Sequence, residues 1–216
     1  MKRGIIVDEV PESSQNAASR AESILLFWFA PEPGSDAGPI RSRWFVPNPE
    51  FDRLCKARFL TSYEDAARGR LEHWRNEPRS CLALILLLDQ FPRNMFRDTA
   101  RAFATDAKAR ELSRHAIASG FDRDLSPIMR MFLYLPLEHS ENLDDQLESV
   151  RLTCALAAEN LDHAGALKSA EQHLEIIRRF GRFPSRNHAL GRQSTQEEMN
   201  FLKEPGAEMI VMRTPH

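Results

Sequence analysis

The stretch Cys81 to Leu88, CLALILLL, constrains this chain more than any other: it is apolar on every side and runs straight into Asp89 and Gln90. A segment without a polar face has to be buried all round, either as a central strand or as a core helix. Leucine dominates it and Ile85 is its only β-branched residue, so composition favours the helix, with Pro92 as the expected stop. Asp89 then lies at the end of a buried element. A buried carboxylate without a partner takes up a proton or destabilises the fold, and an arginine fork satisfies it best. Arg93 is near in sequence but lies across Pro92, which makes a distant arginine a serious candidate as well.

No other segment reads convincingly as a strand. The pattern predicts a helix over Asn16 to Phe29 stopped by Pro31, a Pro- and Gly-rich loop over Pro31 to Pro39, and a Trp44-Phe45 anchor. Asn48-Pro49 opens a second helix to about Gly69, asparagine capping and proline fitting the first turn. Asp106 to Ser119 follows, closed by Gly120, then Ser126-Pro127 starts a short helix, Ile128 to Leu135, ended by Pro136. From Glu141 the spacing of Leu143, Leu147, Val150, Cys154, Ala157 and Leu161 predicts an inward helical stripe. Ala164 to Phe180 is helical up to Gly181, and Ser194-Thr195-Gln196-Glu197 reads as a capping box opening a last helix to about Glu204. About eight helices joined by short loops predict an all-α fold of antiparallel helical hairpins with no sheet. The expected organisation is a flexible leader, 1–13, one helical domain, 14–204, and a tail, 205–216.

A formal net charge of -2 gives no global reason to expect nucleic acid or an anionic membrane as partner. The longest apolar runs fall far short of a membrane span. Three scattered cysteines, Cys55, Cys81 and Cys154, give neither a disulfide framework nor paired zinc-ligand motifs, and suit a reducing compartment; with no signal-peptide pattern, the cytoplasm is expected. Cys81 and Cys154 read as core side chains. Trp28, Trp44 and Trp74 also read as packing residues.

A Phe-Pro step leading to Arg-Asn occurs twice, as Phe91-Pro92-Arg93-Asn94 and Phe183-Pro184-Ser185-Arg186-Asn187, each placed by the pattern where a helix stops. Gln90, Arg93, Asn94, Arg182, Arg186, Asn187 and Arg192 therefore form the candidate ligand-binding set, guanidinium groups supplying charge and amides orientation. The stretch from Arg178 to Arg192 contains no acid. Three uses stay open for its arginines: bonding to helix carbonyls and to Asp89, Asp106, Glu138 or Glu141; binding a small anionic ligand or an acidic peptide end, helped by the amides opening the Thr195 helix; and, least favoured, a nucleic-acid surface. His139 sits in a loop between helices and His173 on the inward arc of its own; with Asp89 and Glu141 they are the candidate catalytic groups for acid–base, hydrolase-type chemistry. No tight metal-ligand spacing occurs, and no cofactor, phosphate-loop or nucleophile-turn motif appears. A protein-binding scaffold is the third reading, and oligomeric state is open.

Leu86-Leu87-Leu88-Asp89-Gln90-Phe91-Pro92-Arg93-Asn94 resembles the bacterial domain-of-unknown-function family nine-two-four. So do Phe27-Trp28-Phe29, Trp44-Phe45, Phe103-Ala104-Thr105-Asp106, Leu135 to Glu141, and Arg179 to Arg192, so that the likeness covers roughly Ile24 to Leu202. The resemblance implies an all-helical fold related to tetratricopeptide-repeat proteins, although no convincing 34-residue repeat is visible, and it implies no activity.

Overall fold

The structure is a computed structural model and describes residues 14–30, 44, 46–159 and 161–204. The expected leader, the Pro31 to Pro39 loop, Phe45 and the tail lie outside these residues.

Eight α-helices and no strand occur among the described residues. They are α1 (Ser14–Phe29), α2 (Pro49–Ala67), α3 (Pro78–Met95), α4 (Asp106–Ala118), α5 (Pro127–Glu138), α6 (Leu143–Glu159), α7 (Ala164–Phe180) and α8 (Gln196–Phe201). Successive helices from α2 to α7 pack against one another, and α1 and α5 also pack on α3. The all-apolar run lies at the centre of the molecule, within α3: every residue from Cys81 to Met95 is buried. Around α3 lies an aromatic layer in which Trp28 stands 5.1 Å from Phe91 and 5.7 Å, edge on, from Phe132. Trp28, Trp44 and Trp74 are all buried. A second, smaller core joins Ile176, Ile177, Phe183 and Phe201.

Local signals explain most boundaries. Asn48 Oδ1 accepts from the amides of Glu50 and Phe51 at 3.1 and 3.0 Å, with Pro49 at the first position of α2. Gly120 and Gly181 close α4 and α7 at φ +73 and +67, where a side chain would be strained. The capping box at α8 is real but sits one residue later than expected: Thr195 Oγ1 accepts from Glu198 N, and Glu198 Oε2 from Thr195 N.

Three expectations are overturned. Pro92 does not stop α3, which runs on to Met95. A proline leaves the carbonyl four residues back without its helical donor, and here the Thr105 hydroxyl donates to Leu88 O at 2.6 Å instead. Pro136 also lies inside α5; the Ser113 hydroxyl donates at 2.6 Å to Leu133 O, the carbonyl next to the one that Pro136 leaves without its helical donor. The third concerns α6, whose expected inward stripe faces outward: Leu143, Leu147 and Cys154 are exposed, as is Leu161 just beyond the helix, and of that set only Ala157 is buried. Helix α6 instead buries Asp145, Gln146, Ser149, Leu152, Thr153 and Leu156 along with Ala157. Its polar groups serve the turn after α5: Gln146 Nε2 donates to the carbonyls of Glu138 and Ser140 at 2.5 and 2.6 Å, and Asp145 accepts from the Ser140 hydroxyl at 2.7 Å and from Arg114. Satisfying exposed helix-end carbonyls outweighed the apolar periodicity.

Candidate functional site

Polar residues from four places in the chain close into a ring at the end of α3. His139, just past α5, has Nδ1 2.9 Å from both oxygens of Asp89. Asp89 meets Arg93 at 3.3 Å, and Arg93, one helical turn on, takes both oxygens of Asp106 at 2.9 and 3.0 Å. Asp106, at the start of α4, is shared with Arg186, which contacts it at 3.3 Å. Arg186 then closes the circuit by donating to His139 O at 2.8 Å. Asp89 and Arg186 thus belong to one network, joined through Arg93, Asp106 and His139.

The ring is sealed by aromatic faces. The Arg186 guanidinium lies 4.8 Å from the centre of Phe103 and 4.6 Å from that of Phe183, one ring packed on the large core and the other belonging to the small one. Such stacking suits the flat guanidinium. The side chain of Arg93 is 5% exposed and that of Arg186 12%.

His173 forms a second anchored imidazole. Its Nδ1 is 2.9 Å from Ser169 O and 3.1 Å from Glu138 Oε1, which also accepts the Ser169 hydroxyl at 2.8 Å. The rings of His139 and His173 are 6.4 Å apart, and Phe183 sits edge on to His173 at 5.4 Å. Neither Nε2 makes a hydrogen bond among the described residues.

Electrostatics follow from these contacts. Burial raises the pKa of the Asp89 carboxyl, but Arg93 and His139 overcome it and hold the group well below the usual carboxylate range. Arg93 goes up despite burial, because Asp106 and Asp89 both face it. Arg186 goes the other way: burial first, then the neighbouring Arg93, push it down to about 10. Burial also lowers His173, against the pull of Glu138.

The remaining expected site residues are not members of the ring, although Gln90 bonds to it and Glu141 acts on Arg186. Asn94 donates to Asp52 at 2.7 Å on the α2 side, away from the ring. The Gln90 amide donates to Asp89 at 2.5 Å, leaving its Oε1 buried and unpaired. Glu141 accepts from Phe183 N at 2.9 Å and from both ends of the Arg192 fork at 2.7 and 3.0 Å. Arg182 grips Glu198 at 2.6 and 2.9 Å, and Asn187 lies between Glu198, Ser194 and Arg192. Of the amides opening α8, those of Thr195 and Glu198 are taken by its own capping box. Sequence reasoning named Asp106 and Glu138 only as counter-ions and missed Phe103 and Ser169. Phe103 stands three residues before Asp106 and left a usable signal; Ser169 left only its place one turn before His173.

Among the described residues no group of three or more His, Cys, Asp or Glu side chains is set to hold a metal ion, and no helix is long and apolar enough to cross a membrane. A shallow cavity of about 140 Å³ lies away from the ring, lined by Leu25, Leu26, Phe29, Met129 and their neighbours.

Comparison with known proteins places these residues in context without adding a reaction. The model of a family described as bacterial protein of unknown function (DUF924) matches residues 24–206. A solved structure of a protein of unknown function, ATU0120 from Agrobacterium tumefaciens, is similar at 40% identity and a TM-score of 0.76, covering 87% of this chain and 98% of that one. No curated protein matches.

Proposed function

We propose, for a chain that belongs to the bacterial DUF924 family and inherits no activity from it, that the ring binds a small molecule bearing a carboxylate or phosphate at Arg186. One observation carries this reading: among the described residues, the half-buried Arg186 has no carboxylate paired to it alone. Its one acidic hydrogen-bond partner among them, Asp106 at 3.3 Å, offers an oxygen that Arg93 already holds at 3.0 Å, while Glu141 and Asp89 act on its charge from further off. Arg182 and Arg192 each engage both oxygens of a carboxylate, by contrast. An anion with two oxygens placed to accept parallel hydrogen bonds is what a half-satisfied guanidinium lacks. Calorimetric titration of the full chain with phosphate, acetate, succinate and short peptides with a free acid end tests it. Binding is expected for wild type and lost in Arg186→Ala with helicity retained; equal affinity in both proteins, or no binding by any probe, overturns the reading.

A second reading, acid–base chemistry of the hydrolase type, is favoured by the anchoring of His139. An ionised, fully buried Asp89 fixes the ring through Nδ1, which leaves Nε2 to exchange a proton with a bound molecule. The successive packing of helices supports a tetratricopeptide-like architecture, and three free cysteines suit the cytoplasm.

A further inference from the structure

The geometry points to a ligand that carries a hydrogen-bond donor, a hydroxyl or ammonium group, next to its acid group: a hydroxy acid, an amino acid or a sugar phosphate, and not a bare anion. This rests on Arg186 being the anion-binding residue. The two histidines supply the rest. A carboxylate held ionised can only accept, so the contact of His139 Nδ1 with both oxygens of Asp89 puts a proton on Nδ1, and in the neutral imidazole the lone pair is then on Nε2. His173 is fixed the same way, since the atoms facing its Nδ1 are a carbonyl oxygen of Ser169 and Oε1 of Glu138, which is itself accepting from Ser169 Oγ.

Two imidazole acceptors therefore stand beside one under-satisfied cation. Their side chains keep 11% and 12% exposure, and neither Nε2 counts among the enclosed nitrogens without a partner, so solvent reaches both. Arg186 binds the backbone of His139 itself, and the Phe183 ring that stacks on Arg186 also borders His173. A simple anion placed at Arg186 leaves both neighbouring acceptors unused. A hydroxyl or ammonium group on the same ligand turns them into hydrogen bonds, and polar groups converging on a site in this way fix which ligand it accepts.

Protonation reverses the preference, because each Nε2 then becomes a donor. The charged and titratable groups facing His173 are Glu138 on α5, His139 beyond it and Arg186 before α8; those facing His139 are Asp89 on α3, His173 on α7 and Arg186. Burial first, then His139 and Arg186, act against a charge on His173 and outweigh the opposing pull of Glu138 and the Ser169 carbonyl, so it stays an acceptor at neutral pH.

Calorimetry with two matched pairs, glycerol 3-phosphate against inorganic phosphate and lactate against acetate, tests this at pH 7.5 and 5.5. At pH 7.5 the donor-bearing member of at least one pair should bind about tenfold tighter, the worth of roughly one good hydrogen bond. That advantage should shrink at pH 5.5 and vanish in His173→Phe and in His139→Gln, two variants chosen so that misfolding of one leaves the other informative. Bare anions that bind as well as their partners at pH 7.5, or an advantage that grows on acidification, overturn the donor inference and leave anion binding at Arg186 standing. Absence of binding by all four probes removes both.

Discussion

The two Arg-Asn pairs are nearly the same words in the sequence and end in opposite situations. Arg93 and Asn94 lie inside α3, where each finds a close acidic partner: both oxygens of Asp106 for the guanidinium and Asp52 for the amide. Arg186 and Asn187 lie in the turn after α7. Asn187 is fully used, between Glu198, Ser194 and Arg192, whereas Arg186 has to share the carboxylate that Arg93 already occupies. The difference teaches that a motif becomes architecture where its hydrogen bonds are complete, and a candidate for function where one guanidinium is left short.

The largest expected effect tests the complete member. Asp89→Ala leaves Arg93 without its nearest turn-mate and frees His139, and removing one partner of a buried pair costs about 3–5 kcal/mol. Urea unfolding should show that loss; a change under 1 kcal/mol would mean that Arg93 leans on Asp106 alone. Arg186→Ala should cost less, about 1–2 kcal/mol, because Asp106 keeps its bidentate Arg93, while ligand binding disappears. If Arg186→Ala proves as damaging as Asp89→Ala, the contrast between the two pairs is broken.

Acid sharpens the comparison from another side. Arg182 first, then the amide of Thr195 among others, against burial, hold Glu198 down at about 2 instead of 4.5. A carboxylate depressed by folding contributes its stability above the unfolded value, so this contribution is complete above about pH 4.5 and is lost as pH falls through about 2. Thermal melts between those limits should therefore fall with acid, and Glu198→Gln should flatten the slope. The smallest effect belongs to α6. Leu147→Ser on its exposed face should stay within about 0.5 kcal/mol, against about 2–5 kcal/mol for Leu156→Ala inside the core.

The class of the fold was legible because Cys81 to Leu88 has no polar face and because asparagine, proline and glycine punctuate the helices. Helix ends at proline were not legible, since whether Pro92 terminates α3 depends on Thr105, a hydroxyl thirteen residues beyond it that rescues the stranded carbonyl. The face of α6 was misread for a related reason: apolar spacing is local, while the carbonyls that Gln146 has to satisfy belong to another helix. At the site, the need of Asp89 for an arginine could be derived from its neighbours. That two arginines would divide one Asp106, and that Asp89 and Glu138 would each hold an imidazole by Nδ1, are facts of tertiary packing.

The bond between Arg186 and Asp106 spans 80 positions. A chain made from its N-terminus has α3 and α4 complete while the residue that locks them to His139 is still unsynthesised, so the ring is assembled last. A chain ended between Phe180 and Arg186 would therefore carry the residues of α1 to α7 without the guanidinium that joins Asp106 to His139.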